Sequence, residues 1–129
     1  MILGTGVDII EVDRVYKELC RHGDRFCQRV FTEDEISYCS KRTSAKARAQ
    51  CFAARFAAKE SFFKALGTGL RDGLQWTDVD VVHDPLGRPQ LRTRNRADEL
   101  VREIHADIHV TLSHGHSYAV AVVVLESHP

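Results

Sequence analysis

Apolar and polar positions change their period several times along the chain, and each change marks an element. The opening "MILGTGVDII" reads as a strand, in which Gly4 and Gly6 allow a bend or a close backbone approach. From Glu11 the spacing turns helical: Val12, Val15 and Leu19 share one face, while Arg14, Lys17 and Arg21 share the other. Arg25 extends that basic row provided the helix continues through Gly23. Thr32 with Glu35 three places on is a capping box, which predicts a new helix at "TEDEISYC". The polar, basic "SKRTSAKARAQ" then leads into a long alanine-rich helix that stops at Gly67-Thr68-Gly69. Residues 79–93 hold two strand-like runs around Pro85-Leu86-Gly87, a hairpin pattern. Ala97, Leu100, Val101 and Ile104 form the stripe of a further helix, and "IHVTLSH" and "YAVAVVVLE" read as two strands joined at Gly115. Strands and helices come mixed without regular alternation, so the expected class is α+β, an antiparallel sheet packed on the long central helix.

Length and composition narrow this to one compact domain, residues 1–129, since no linker, repeat or low-complexity tract divides the chain. Hydrophobic residues at 43% against 28% charged are the balance of a soluble globular protein. No apolar run approaches the ~18 residues of a membrane span. The N-terminus carries acids early and no basic leader, so a cytoplasmic location is expected. Cys20, Cys27, Cys39 and Cys51 fit no CxxC spacing, which argues against a zinc cage and for reduced thiols.

Charge adds a partner class only through its distribution, because 18 basic residues balance 18 acidic ones. Between Lys41 and Lys59 there are six basic residues and no acid. Such a field suits a phosphorylated ligand as well as it suits a solvated helix face.

Candidate chemistry begins in "FAARFAAKESFFKALGTG". Phe52, Phe56, Phe63 and Leu66 share a core face, yet Lys59, Glu60 and Lys64 interrupt the same helix. Glu60 and Lys64 have the spacing of an i,i+4 salt bridge, and Lys59 that of a stem that packs while its ammonium reaches water. Asp8, between Val7 and Ile9, is an N-cap or a buried ion pair, or else shares Mg²⁺ with Glu60. His114 ends an apolar row at the final turn and is placed to meet a phosphate or move a proton, whereas His116 reads as a turn residue with local hydrogen bonds. Gly67 ends the helix and also opens a possible phosphate nest. The row of Arg14, Lys17 and Arg21 is either solvated or a dock for an acidic protein.

Three blocks together, "GTGVDIIEVDRV", "FAARFAAKESFFKALGTG" and "HVTLSHGHSYAVAVVV", closely resemble the 4′-phosphopantetheinyl transferase superfamily, in its bacterial fatty-acid-synthesis branch. They stand in that family's order and spacing, and the resemblance runs from Ile2 to Glu126. It implies a Mg²⁺-dependent transfer of the 4′-phosphopantetheine arm of coenzyme A to a serine of apo-acyl carrier protein, leaving adenosine 3′,5′-bisphosphate. It further implies that Asp8 and Glu60 bind the metal, that Lys64 contacts a coenzyme A phosphate and that His114 lies near the cofactor. Gly67, Arg55 and Arg48 fall on the coenzyme A side, with Arg48, Arg55 and Lys46 all open as the partner of its 3′-phosphate. Arg14, Arg21 and Arg25 fall on the helix that such proteins present to the acidic carrier. The same resemblance implies α+β protomers assembled as a homotrimer, with sites between neighbouring subunits.

Two other classes use much of the same chemistry. A Mg²⁺-dependent pyrophosphate hydrolase would not need the Arg14 row, and a non-enzymatic coenzyme A-binding module would tolerate Glu60→Gln. Zero net charge and aromatic residues patterned for burial argue against a nucleic-acid binder.

Overall fold

The computed structural model describes all 129 residues. In chain order the elements are β1 (Ile2–Glu11), α1 (Val12–Val30), α2 (Glu33–Ser40), α3 (Ala45–Leu66), β2 (Val79–His83), β3 (Pro89–Thr93), α4 (Asn95–Glu103), β4 (Ala106–His114) and β5 (Tyr118–Ser127), with a short 3₁₀ turn at Trp76–Asp78. The outer strands β1 and β4 flank β5 in an antiparallel sheet, and β2 pairs with β3 in a separate hairpin. The α+β expectation holds, and no helix is long and apolar enough to cross a membrane.

Helix α3 is the centre of the molecule because it is apolar nearly all round, as its alanine and phenylalanine content requires. Phe52, Phe62, Phe63 and six alanines of this helix are buried. One side of it packs on the sheet, whose inward residues Ala119, Ala121, Val123 and Leu125 are also buried. Its N-terminus is capped by Ser44, whose hydroxyl accepts from Ala47 N at 3.0 Å. Lys46 and Arg48 therefore lie in the first turns of the helix itself. Gly67 ends it in the left-handed conformation at φ 80°. Helix α1 does continue through Gly23, with a kink there (φ 2°, ψ −94°), so Arg25 belongs to its second arm.

Two expectations are overturned. Lys59 does not reach water: its side chain is fully buried, its ammonium 2.7 Å from Glu35 Oε1, and it donates to the carbonyls of Val79 and Trp76 at 2.6 and 3.0 Å. Glu35 completes the predicted capping box with Thr32 and accepts from Val81 N at 3.1 Å through its other oxygen. Asp80, also buried, accepts from Thr32 Oγ1 at 2.9 Å and pairs with Arg92 at 2.8 Å. This network joins α2, α3 and β2, and the contacts of the Lys59 ammonium with Glu35, Val79 and Trp76 replace those a snorkelling lysine would have made with water. The second correction concerns the thiols. Cys39 and Cys51 are joined in a disulfide that ties α2 to α3, with Cα atoms 5.5 Å apart, while Cys20 and Cys27 are free. Their twelve-residue separation carries no sign of this pairing; the packing of α2 on α3 creates it.

The other face of the three-stranded sheet is uncovered. Leu3, Val7, Ile9 and Tyr118 are exposed there, Val7 by 56% and Ile9 by 63%, beside half-buried Val120, Val122 and Val124. An apolar face of this extent is unusual for an isolated small protein.

Candidate active site

Strand β1 reaches its place because two of its residues lack side chains. A Cβ on Gly4 would collide with the carbonyl oxygen of Ala65, and one on Gly6 with that of Ser61. The strand therefore rides directly on the backbone of α3, with Ser61 Oγ donating to Ala121 O at 3.0 Å as a further tie. Asp8 is the next inward position, opposite Ala121 in the β1–β5 register. We expect Gly6→Ala to cost about 1–3 kcal/mol in a urea melt and to lower activity along with it, since the strand must retreat with Asp8 on it. Unchanged stability would show that the contact is not tight.

Asp8 is not an N-cap: Glu11 holds that position of α1, with no capping side-chain bond. Asp8 Oδ1 instead accepts from Lys64 Nζ at 2.9 Å, and the same ammonium donates to the carbonyl of Val7 at 3.1 Å. The predicted i,i+4 bridge from Lys64 to Glu60 is thus replaced by one across to β1. Asp8 Oδ2 is buried with no hydrogen-bond partner. Glu60 lies close enough to feel Asp8: burial raises its pKa above the ordinary 4.5, Asp8's charge raises it further, and Lys64 and Arg14 pull it back. Four residues from three elements, Asp8, Glu60, Lys64 and Arg14, are therefore within electrostatic reach of one another.

Two carboxylates within electrostatic reach of each other, one of them with a buried unpartnered oxygen, are suited to a hard divalent cation. Mg²⁺ commonly takes one or two protein carboxylates and fills its shell with water and phosphate oxygens. The chain has no cluster of three or more His, Cys, Asp or Glu side chains, so a closed zinc-type cage is not on offer. Asp8 Oδ2 and Glu60 fit Mg²⁺ on this ground.

The other candidates lie elsewhere. Arg55 and Arg48 are two turns apart on one side of α3, about 120–140° around the axis from Glu60 at 100° per residue. Arg55 is buried, donating to Cys51 O at 3.3 Å and leaving its Nε without a partner. Its guanidinium lies 4.4 Å from the centre of the Tyr38 ring, that of Arg42 lies 4.6 Å away, and His83 stacks on Tyr38 at 5.0 Å. Burial and then the charges of Arg55 and Arg42 lower the His83 pKa, against the opposing charge of Asp84. Tyr38 and His83 escaped the sequence reading because an aromatic on a short helix and a histidine at a strand end have no distinguishing spacing. Arg48 Nη1 donates to Arg42 O at 3.0 Å, which holds the loop before α3.

His114 is exposed at the end of β4, opposite Ala119. His116 is not satisfied locally as expected: its Nε2 is 2.7 Å from Lys46 Nζ, and Gln50 donates to Gly115 O at 3.0 Å. The β4–β5 turn thereby docks on the start of α3 and borders a cleft of about 730 Å³ that Glu11, Tyr16 and Tyr118 also line. Gly67 offers no nest, since its N–H donates to Lys64 O and that of Gly69 to Phe63 O. Arg21 and Arg25 are exposed along α1 beyond Arg14, and Arg25 borders a shallow groove with His22 and Arg29. Arg29, four residues after Arg25, was legible as a continuation of the basic row past the kink.

Residues 4–123 match the sequence profile of the 4′-phosphopantetheinyl transferase superfamily. This chain belongs to that superfamily. Members close to it in sequence include a holo-[acyl-carrier-protein] synthase of Geobacter sp. (strain M21), 54% identical over 98% of this chain and 99% of the relative. Another is the synthase of the same description from Koribacter versatilis (strain Ellin345), at 46% identity over 98% and 99%. Among solved structures, a holo-(acyl-carrier-protein) synthase from Bacillus anthracis str. Ames in complex with CoA (3′,5′-ADP) superposes with a TM-score of 0.82 at 37% identity, covering 99% of each chain. The Helicobacter pylori synthase in complex with coenzyme A has a TM-score of 0.80 at 26% identity, over 95% of this chain and 99% of that one. The superfamily's fold is thus the fold described above.

Proposed function

We propose that residues 1–129 act as one transferase domain that moves the 4′-phosphopantetheine group of coenzyme A to a serine of apo-acyl carrier protein, for fatty acid biosynthesis. Adenosine 3′,5′-bisphosphate is the product released. The observation that carries this reading is the Asp8–Glu60 pair with its orphaned Oδ2, beside Lys64, in a member of this superfamily.

The serine Oγ forms a bond to the phosphorus that bears the pantetheine arm, and the bond from that phosphorus to the leaving bisphosphate oxygen breaks. Asp8 and Glu60 would hold Mg²⁺, which supplies neutralisation of the charge on the pyrophosphate. Lys64 adds a point charge at the same phosphates. The serine proton needs an acceptor, for which Glu60 and a water held beside it are the two candidates. Arg14 on α1 lies within electrostatic reach of Glu60, and an acidic carrier would dock on it, with Arg21 and Arg25 extending the surface.

One chain does not gather all of these parts, because Arg48 and Arg55 lie about 120–140° around α3 from Glu60 and His114 is exposed at the end of β4. We read the missing half as a neighbour's contribution in a homotrimer. The uncovered apolar sheet face favours such an assembly, and the Arg42 and Arg55 guanidinium groups gathered on Tyr38, Arg55 with its unpartnered Nε, suit the 3′-phosphate of coenzyme A.

Intact-protein mass spectrometry of an apo-acyl carrier protein, incubated with this protein, coenzyme A and Mg²⁺, tests the reading. A mass gain of one phosphopantetheine that EDTA abolishes is expected. Coenzyme A consumption without mass gain would indicate the hydrolase instead, and neither change from folded protein would indicate a binding module. In the same assay Arg14→Ala should raise the KM for carrier several-fold with coenzyme A affinity unchanged.

A further inference from the structure

Lys64 does not make the bond its helix position offers. Glu60 lies one turn back on the same face, yet the ammonium crosses to β1, where it bonds Asp8 Oδ1 at 2.9 Å and Val7 O at 3.1 Å. The two partners are unequally held. The Asp8 side chain is 14% exposed and fixed by a strand seated on α3, whereas Lys64 is 52% exposed on a long flexible stem. The carboxylate stays and the ammonium can leave. Asp8 and Glu60 together are two partly buried negative charges, an arrangement that needs a counter-charge from somewhere.

We propose that Lys64 is a built-in counter-cation of the Asp8–Glu60 pair, which exchanges its ammonium for a divalent cation and hands that ammonium to a phosphate oxygen of the incoming ligand. The proposal rests on reading Asp8 and Glu60 as the metal carboxylates. Its consequence is coupling. A bare divalent cation must compete with an ammonium that then has no new partner, so it binds weakly. A cation that arrives with a phosphorylated ligand offers Lys64 a replacement bond, so the two bind better together than apart, and the coupling is reciprocal.

Binding of Mn²⁺ without coenzyme A, followed by electron paramagnetic resonance and by calorimetry, tests this directly. Lys64→Met keeps the stem and removes the charge. It should bind free Mn²⁺ about tenfold more tightly than the wild type, a figure that discounts the Coulomb effect for a half-exposed ammonium. It should also show a smaller gain in Mn²⁺ affinity on adding coenzyme A than the wild type does, the remainder coming from phosphate oxygens on the metal. Lys64→Gln should behave in the same direction, and Arg102→Met, a charge removed from distant α4, should change nothing. Unchanged or weaker Mn²⁺ binding in both Lys64 variants overturns the counter-cation. If Asp8→Asn binds Mn²⁺ as the wild type does, the metal assignment itself falls and takes this proposal with it. Loss in Asp8→Asn with no gain in the Lys64 variants leaves the metal assignment standing and removes only the exchange.

Discussion

Asp8→Asn is expected to slow transfer by about 10²–10³-fold, the scale of losing a preorganised charge contact to the transition state, with no loss of thermal stability. The two halves of this result come from different sides of the same carboxylate. Oδ1 makes a half-exposed ion pair with Lys64, which contributes little to folding. Oδ2 is buried without a partner and its charge opposes that of Glu60, so the native residue is a local cost to the fold. An amide keeps the shape and removes the repulsion, so Tm should hold or rise while activity falls. Raising Mg²⁺ should restore only part of the rate. The measurement is single-turnover transfer alongside a thermal melt. A parallel fall in rate and Tm would make Asp8 a structural residue and remove it from the site.

Glu35→Ala is expected to destabilise the fold by about 3–5 kcal/mol, the cost of leaving a buried charge without its partner. Lys59, fully buried, would keep only the carbonyls of Trp76 and Val79, and the amides of Thr32 and Val81 would lose their acceptor. Burial already lowers the Lys59 pKa, and Glu35 is the main group holding it up. Without Glu35 the folded protein holds that proton less well than the unfolded chain does. Where the unfolded state binds more protons, stability rises with pH. The deficit of the variant should therefore shrink as pH is raised toward the ordinary lysine value of 10.5. Urea melts across that range test it, and a pH-independent deficit would mean that Lys59 keeps its proton in the folded variant as it does in the wild type. The double change Glu35→Leu with Lys59→Met should recover part of the loss, because it removes both charges at once while leaving the amides of Thr32 and Val81 unpaired.

Local features were legible in the sequence to the extent that they depend on near neighbours. The Thr32–Glu35 capping box, the glycine stop after α3, the hairpin at Pro85-Leu86-Gly87 and the β4–β5 turn all formed where spacing placed them. So did the close approach allowed by Gly4 and Gly6, since a missing side chain in an apolar strand has few other uses. Partner choice was not legible. Lys59 meets Glu35 from 24 positions earlier, and Lys64 prefers Asp8 to the Glu60 on its own helix. Cys39 finds Cys51, and His116 finds Lys46 across 70 residues.

What the sequence determined alone is therefore the set of elements, their apolar faces and the placing of acids and bases within the core helix and the first strand. Periodicity carries that information because each residue's face follows from its position within its own element. What only the tertiary structure decided is which charge neutralises which: the ammonium of Lys64 on Asp8, the burial of Lys59 against Glu35, and Arg55 turned away toward Tyr38. A buried ionic group takes the nearest partner that satisfies its geometry, and distance across the chain is set by strand register and helix packing, which no local pattern contains.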